Sequence, residues 1–232
     1  MKLVTQIDSN LIVFRLDHSK NGKISNGLEK IVQVYTFDIN QKNYIDTCDQ
    51  LGEKVVPKVF FSMADSNCLD CPFRAYLKCY THKYGEYMGM LSMLRSIKEI
   101  KPLDEIKSKV INWTKDRYIR FGQYGEPTVL PLDLVESMTA QAKNWTGYTH
   151  QWRKKTEFSP YFMASTHSLA ESLRAEMLGF RSFVAVPEKI DSKDFVACPA
   201  AKETGKKSSC EKCGLCSGTK GKGKKHVQIL EH

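Results

Sequence analysis

The chain predicts an α/β fold, arranged as a partial (β/α) barrel or an open, mostly parallel sheet, with a small N-terminal β element and a cysteine-rich C-terminal segment. Three observations predict it. From residue 55 onward, short β-branched and aromatic runs alternate with stretches of helical period. The 232 residues are 41% hydrophobic and 26% charged, which supplies a core and excludes a disordered chain. Seven of the eight cysteines fall into two groups, after residue 67 and from residue 198. These shifts divide the chain into 1–54, a β element; 55–197, the α/β core; and 198–232, a segment rich in Cys, Lys and Gly.

In order, Leu11 to Leu16 and Ile31 to Phe37 read as two strands of a hairpin with a long loop, because Asn21-Gly22 and Asn26-Gly27 are turn signals between them. Val55 to Met63 reads as a buried strand leading directly into the first cysteines. Tyr84, Tyr87, Met88, Leu91, Leu94 and Ile97 recur every three or four residues and predict a helix, in which Met88, Met90 and Met93 fill the core. Pro102 separates it from a second helix, Leu103 to Trp113. Tyr118 to Phe121 is a short strand, Pro131 to about Asn144 a helix, and Gly147 to Trp152 and Tyr161 to Ser165 are strands. Ser168 and Glu171 form a capping box opening a helix to Leu178, and Phe183 to Val186 is the next strand.

No apolar run is long enough to cross a membrane, and MKLVTQIDSN lacks the apolar core of a secretion signal. A cytoplasmic location without a membrane partner is therefore expected. The reducing cytosol makes metal ligation, not disulfides, the use for grouped cysteines. The first group is Cys68-x2-Cys71-x7-Cys79. His82 could complete a Cys3His zinc site with it, or the three thiolates could hold a [4Fe–4S] cluster with one iron open. The second group is Cys198-x11-Cys210-x2-Cys213-x2-Cys216, a full set of four for zinc or a cluster, with the consecutive x2 spacing favouring iron. Its surroundings hold little apolar material, so a metal is expected to organise them. Cys48 stands apart as a buried thiol.

The net charge is +9, and from Cys198 on eight lysines (202, 206, 207, 212, 220, 222, 224 and 225) face three glutamates (203, 211 and 231). A basic tail of this kind suits an anionic or macromolecular partner, such as nucleic acid or a peptide. Tyr148, His150 and Trp152 alternate and would share one strand face, with His150 a candidate acid or base near neutrality.

Tyr118 to Leu130, YIRFGQYGEPTVL, resembles the second strand and GGEP motif of radical S-adenosylmethionine enzymes, with Tyr124 in place of the first glycine. A cysteine loop, a helix and this motif some fifty residues later follow that family's order, although CxxC-x7-C replaces its usual CxxxCxxC. The chain is also similar to small phage-encoded proteins that share its CxxC, GEP, YTHQW and CGLC elements. The resemblance implies that Cys68, Cys71 and Cys79 hold a [4Fe–4S] cluster that chelates S-adenosylmethionine and, once reduced by an electron donor, cleaves it to a 5′-deoxyadenosyl radical. It implies that Glu126, with Gly125 and the backbone at Pro127, holds the methionine ammonium, and that Cys198, Cys210, Cys213 and Cys216 hold an auxiliary cluster; Ser165 and Thr166 could contact a ribose, although their place at a helix start also explains them without a ligand. The alternative from the residues alone is a zinc-stabilised nucleic-acid-binding module without catalysis, with His82 as a ligand.

Overall fold

The computed structural model describes residues 1–19, 21–74, 79–82, 84–205 and 208–230; Lys206, Lys207 and Glu231 of the basic tail lie outside the described residues. The chain is mixed α/β, with two five-stranded sheets. The first has the order β1 (Lys2–Ile7), β2 (Asn10–His18), β3 (Lys30–Asp38), β4 (Tyr118–Tyr124) and β5 (Asn144–Thr146). Strands β1 to β3 form an antiparallel meander, and β3, β4 and β5 run parallel. The second sheet is entirely parallel, in the order β6 (Tyr148–Thr149), β7 (Met163–Thr166), β8 (Ser182–Val186), β10 (His226–Leu230) and β9 (Phe195–Ala197).

The sheets meet at Gly147, the single residue between β5 and β6. Any Cβ there would lie 2.4 Å from Phe162 and 3.3 Å from Phe121, so only glycine lets the strand pass from one sheet to the other. Its neighbours Thr146 and Tyr148 consequently point away from that core, to the inner face.

On the outer face, α5 (Leu103–Thr114) and α6 (Leu132–Gln141) bury Ile106, Val110, Leu134, Val135 and Met138 against Ile12, Phe14, Val32, Ile119 and Phe121. At one end of the inner face, α1 (Ile39–Leu51), α2 (Pro57–Ser62) and α4 (Tyr84–Arg95) cover Leu11, Val13, Phe37 and Tyr124 with Ile45, Phe60, Phe61, Tyr87 and Leu91. In α4, Met90 and Met93 are core residues as expected, whereas Met88 is exposed. Asp38 starts α1 with a reciprocal capping box: it accepts from Asn40, and its own amide donates to the Gln41 side chain.

Val55 to Met63 is not a strand. Pro57 stands at the first position of α2, where its missing N–H costs nothing, and Phe60 and Phe61 face the core. The first cysteines therefore follow two helices inserted after β3, not a strand end. The expected strand from Gly147 to Trp152 is reduced to Tyr148–Thr149, because Lys154 and Lys155 both bond back to the Gln151 carbonyl in a turn. Trp152 leaves the strand and is buried with Ala164, Ala175 and Phe180 beneath α7 (Leu169–Met177). Ser168 caps α7 as expected, accepting from the Glu171 amide, but the Glu171 carboxylate accepts from the His167 amide, so the box is only half formed.

The divisions at residues 54 and 197 do not separate sheets. β3 bonds to β4, and β10 from the tail lies between β8 and β9.

Candidate functional site

The first three cysteines are held by the ends of β3 and β4. Asp38, at the end of β3, accepts from the Ser66 amide and hydroxyl at 3.1 and 2.7 Å, which docks the short helix α3 (Asp65–Cys68). Asn67 donates to the Thr36 carbonyl at 2.8 Å, and the Asn67 carbonyl accepts from the Glu126 amide at 2.6 Å. The loop bearing the cysteines and the loop after β4 are thus joined backbone to backbone. Between Cys68 and Cys71 the chain turns through Leu69 at φ 44°, a left-handed conformation that a β-carbon disfavours.

Cys68, Cys71 and Cys79 share one electrostatic neighbourhood. Burial, then the charges of Cys71, Cys79 and Glu126, pushes the Cys68 thiol far above its ordinary range. Cys71 is pushed up to about 11, chiefly by burial, while the amides of Phe73 and Arg74 donate to its sulfur and oppose the rise. The Cys79 sulfur lies 3.0 Å from the Thr81 hydroxyl. A cation among thiols that disfavour one another's ionisation would stabilise them as thiolates. His82 is buried with its ring on Phe61, the centroids 3.8 Å apart, and burial lowers its pKa.

Glu126 is buried at the end of β4. One carboxylate oxygen accepts from the amide and hydroxyl of Thr128, the other from the His150 amide at 3.0 Å. Burial raises its pKa, and these donors with the Thr149 hydroxyl oppose that rise. Glu126 therefore pins the loop after β4 to the loop after β6, beside the cysteines. Gly125 has φ 79° and packs on Thr36 and Asn67, and Pro127 is buried.

Next to this junction is a cavity of about 80 Å³ lined by Asp70 and Pro72 from the cysteine loop, His150 after β6, Ser165 and His167 around the end of β7, and Glu171 of α7. The His150 and His167 rings are parallel within 18°, 5.7 Å apart, and Phe73 meets His167 edge-on at 4.7 Å. Burial, then the His167 charge, lowers the His150 pKa to about 4, so the ring is neutral at physiological pH. Tyr148 and Trp152 do not share this cavity: Tyr148 faces the second cysteine group, and Trp152 is core. Asp70 is not legible as a lining residue because it is a single carboxylate without a motif, and Glu171 reads as the capping partner of Ser168.

The second group lies on the inner face at the opposite end of β4. Cys210 and Cys213 bound the short helix α8 (Cys210–Cys213), whose first two amides donate to the carbonyls of Lys23 and Ile24 in the β2–β3 loop. Cys198 and Cys216 are buried with Met163, Ala200, Ala201 and Val227. All four are coupled: burial drives Cys216 far up, with Cys210, Cys198 and Cys213 adding to it. Cys210 is pushed up to about 11 by burial and Cys198, and Arg120 and Lys23 oppose this. Cys48, in α1, is a buried free thiol, as expected.

Among the described residues, no three His, Cys, Asp or Glu side chains close on a point that one metal ion could occupy. No described helix is long and apolar enough to cross a membrane. Comparison with protein-family models, with curated proteins and with solved structures finds no match.

Proposed function

We propose that this chain is an iron–sulfur protein of the radical S-adenosylmethionine type, acting in the cytoplasm with an external electron donor on an anionic substrate. The observation that carries the reading is the bond from the Glu126 amide to the Asn67 carbonyl, which ties a GEP loop to a three-cysteine loop beside a cavity walled by the ends of β6 and β7.

The donor set fits the cofactor. Three thiols that raise one another's ionisation cost, grouped beside Glu126, are a donor set of the kind that holds a cluster with one iron open. In this reading Cys68, Cys71 and Cys79 hold the first [4Fe–4S] cluster, and Cys198, Cys210, Cys213 and Cys216 hold the second. The first cluster, when bound and reduced, supplies the electron that cleaves the sulfonium of S-adenosylmethionine.

The chain's own residues do the binding and positioning. Glu126 sets the cysteine loop and the His150 loop at a fixed separation and offers a buried anion toward an ammonium. Neutral His150, stacked beside His167, gives a flat wall for the adenosyl moiety, and Ser165 places a hydroxyl at the rim. Phe73 packs edge-on against His167 and holds its ring parallel to His150.

The test is anaerobic purification followed by measurement of iron, acid-labile sulfide and zinc per chain, then incubation with reductant and S-adenosylmethionine. About eight irons with matching sulfide, and release of 5′-deoxyadenosine, are expected. About two zincs without sulfide, persisting after iron-replete expression and reconstitution, would overturn the reading and direct attention to salt-dependent nucleic-acid binding.

A further inference from the structure

Strand register aligns five polar residues across the first sheet, beginning with Lys2 of β1, which pairs with Arg15 of β2. Arg15 of β2 pairs with Gln33 of β3, Gln33 with Arg120 of β4, and Arg120 with Thr146 of β5. Adjacent strands lie about 4.8 Å apart, so the two arginines stand some 10 Å from each other with the Gln33 amide between them. On the same face Asp17 follows Arg15 along β2, and helices cover the face toward Tyr124.

The row lies on the inner face. Burial raises the pKa of the Tyr35 phenol; Arg15 opposes that rise by charge and hydrogen bond, and Arg120 opposes it by charge. Arg120 also reaches Tyr118 and Cys210. Cys210 packs with Tyr118 of the first sheet and belongs also to the cluster that holds Tyr148 and Phe183 of the second, so the inner faces of the two sheets turn toward each other. Opposite the row, the second sheet presents half-buried Tyr148, Phe183, Ala185 and Ile229, the first two with rings 4.6 Å apart. One wall is cationic and the other aromatic and aliphatic. The first cysteine group lies beyond Tyr124 at one end, the second beside Tyr118 at the other.

We propose that Arg15, Gln33 and Arg120 bind the oxyanion head group, carboxylate or phosphate, of a small substrate whose apolar body rests on Tyr148 and Phe183. Guanidinium forks match such oxyanions, and the Gln33 side chain supplies a neutral donor between them. Asp17 takes one edge of Arg15, at 2.5 Å, and fixes that fork. What then happens to the ligand rests on the proposed function; the binding rests on the register alone.

The test uses ligand-observed NMR on the anaerobically purified full chain, with phenyl phosphate, phenylacetate and benzyl alcohol as probes. Both anions are expected to bind and the alcohol to bind at least about tenfold more weakly. Arg15→Gln and Arg120→Gln should each weaken the anions about tenfold, while Arg120→Lys, which keeps the charge, loses about threefold. The tighter of the two anions identifies the head group. Equal binding of the alcohol, or wild-type binding by Arg15→Gln, overturns the proposal. Arg15→Gln remains decisive even if Arg120→Gln disturbs the neighbouring cysteines, provided the unfolding midpoint of Arg15→Gln matches the wild type. Iron and sulfide measured on the same samples separate the two ideas: anion binding without iron overturns the proposed function only, and iron without anion binding overturns this inference only.

Discussion

Replacing Gly125 by alanine is the most direct probe of the junction between the two loops. The residue has φ 79°, and a Cβ added there would meet the Thr36 carbonyl oxygen at 2.5 Å, the Thr36 Cβ at 2.9 Å and the Asn67 carbonyl oxygen at 3.1 Å. Two costs add. The left-handed conformation costs a residue with a β-carbon about 1–2 kcal/mol, and forcing a methyl against packed backbone costs about 1–3 kcal/mol more. Gly52, which ends α1 at φ 68° with nothing within 4 Å, isolates the first cost. Urea unfolding of both variants should therefore show Gly52→Ala destabilised by about 1–2 kcal/mol and Gly125→Ala by about 2–5 kcal/mol. The extra loss measures the contact with Thr36 and Asn67. A Gly125→Ala variant no less stable than Gly52→Ala would refute the close approach, and with it the joining of the two loops.

Three further outcomes are expected. Glu126→Gln sets an amide against the Thr128 or His150 donor and should cost about 1–3 kcal/mol in the same urea assay; an unchanged midpoint would mean that the buried carboxylate does not hold those loops. His150 takes up a proton at about 6.5 when unfolded but only at about 4 when folded, so its share of stability is intact above pH 6.5 and falls as pH drops toward 4. That loss amounts to up to about 3 kcal/mol, and subtracting the pH–stability curve of His150→Gln from that of the wild type should recover it. Arg181 is buried and donates to the carbonyls of Gly218 and Lys225, so Arg181→Met should unpin the lysine-rich run and speed amide exchange there, while α5 and α6 exchange as before.

The elements legible in the sequence are those whose period matches one buried face, such as α5 with Ile106 and Val110 toward the sheet. Val55 to Met63 misleads because Phe60 and Phe61 are as typical of strands as of a short core helix, and the proline at its head decides the outcome. The grouping of the cysteines can be read from spacing, whereas their closeness to Glu126 follows only from the resemblance of the GEP loop. The Arg15, Gln33 and Arg120 row cannot, because it exists only once three distant segments fall into register, although an arginine interrupting the apolar run after Phe14 is a local sign. The composition of the tail argues against folding by burial, yet Val227 is a core residue, and Cys198, Ala200, Ala201 and Cys216 are buried with it.

The connection from β9 to β10 joins two neighbouring parallel strands, a task that a helix ordinarily performs. Here the crossover is made of the cysteine loop, which lays Cys198, Ala200, Ala201, Leu215 and Cys216 over Met163 and Val227. A long crossover whose only described α-helix is the four-residue α8 leaves most of its closure entropy to be overcome when β10 slots into place, and a cluster held by its four thiols, as proposed, would shorten the free chain that must be ordered. The four thiols thus occupy the position of a missing secondary-structure element. Oxidising or alkylating them would loosen the middle of the second sheet, so the redox history of the protein would be recorded in its folding as much as in its chemistry.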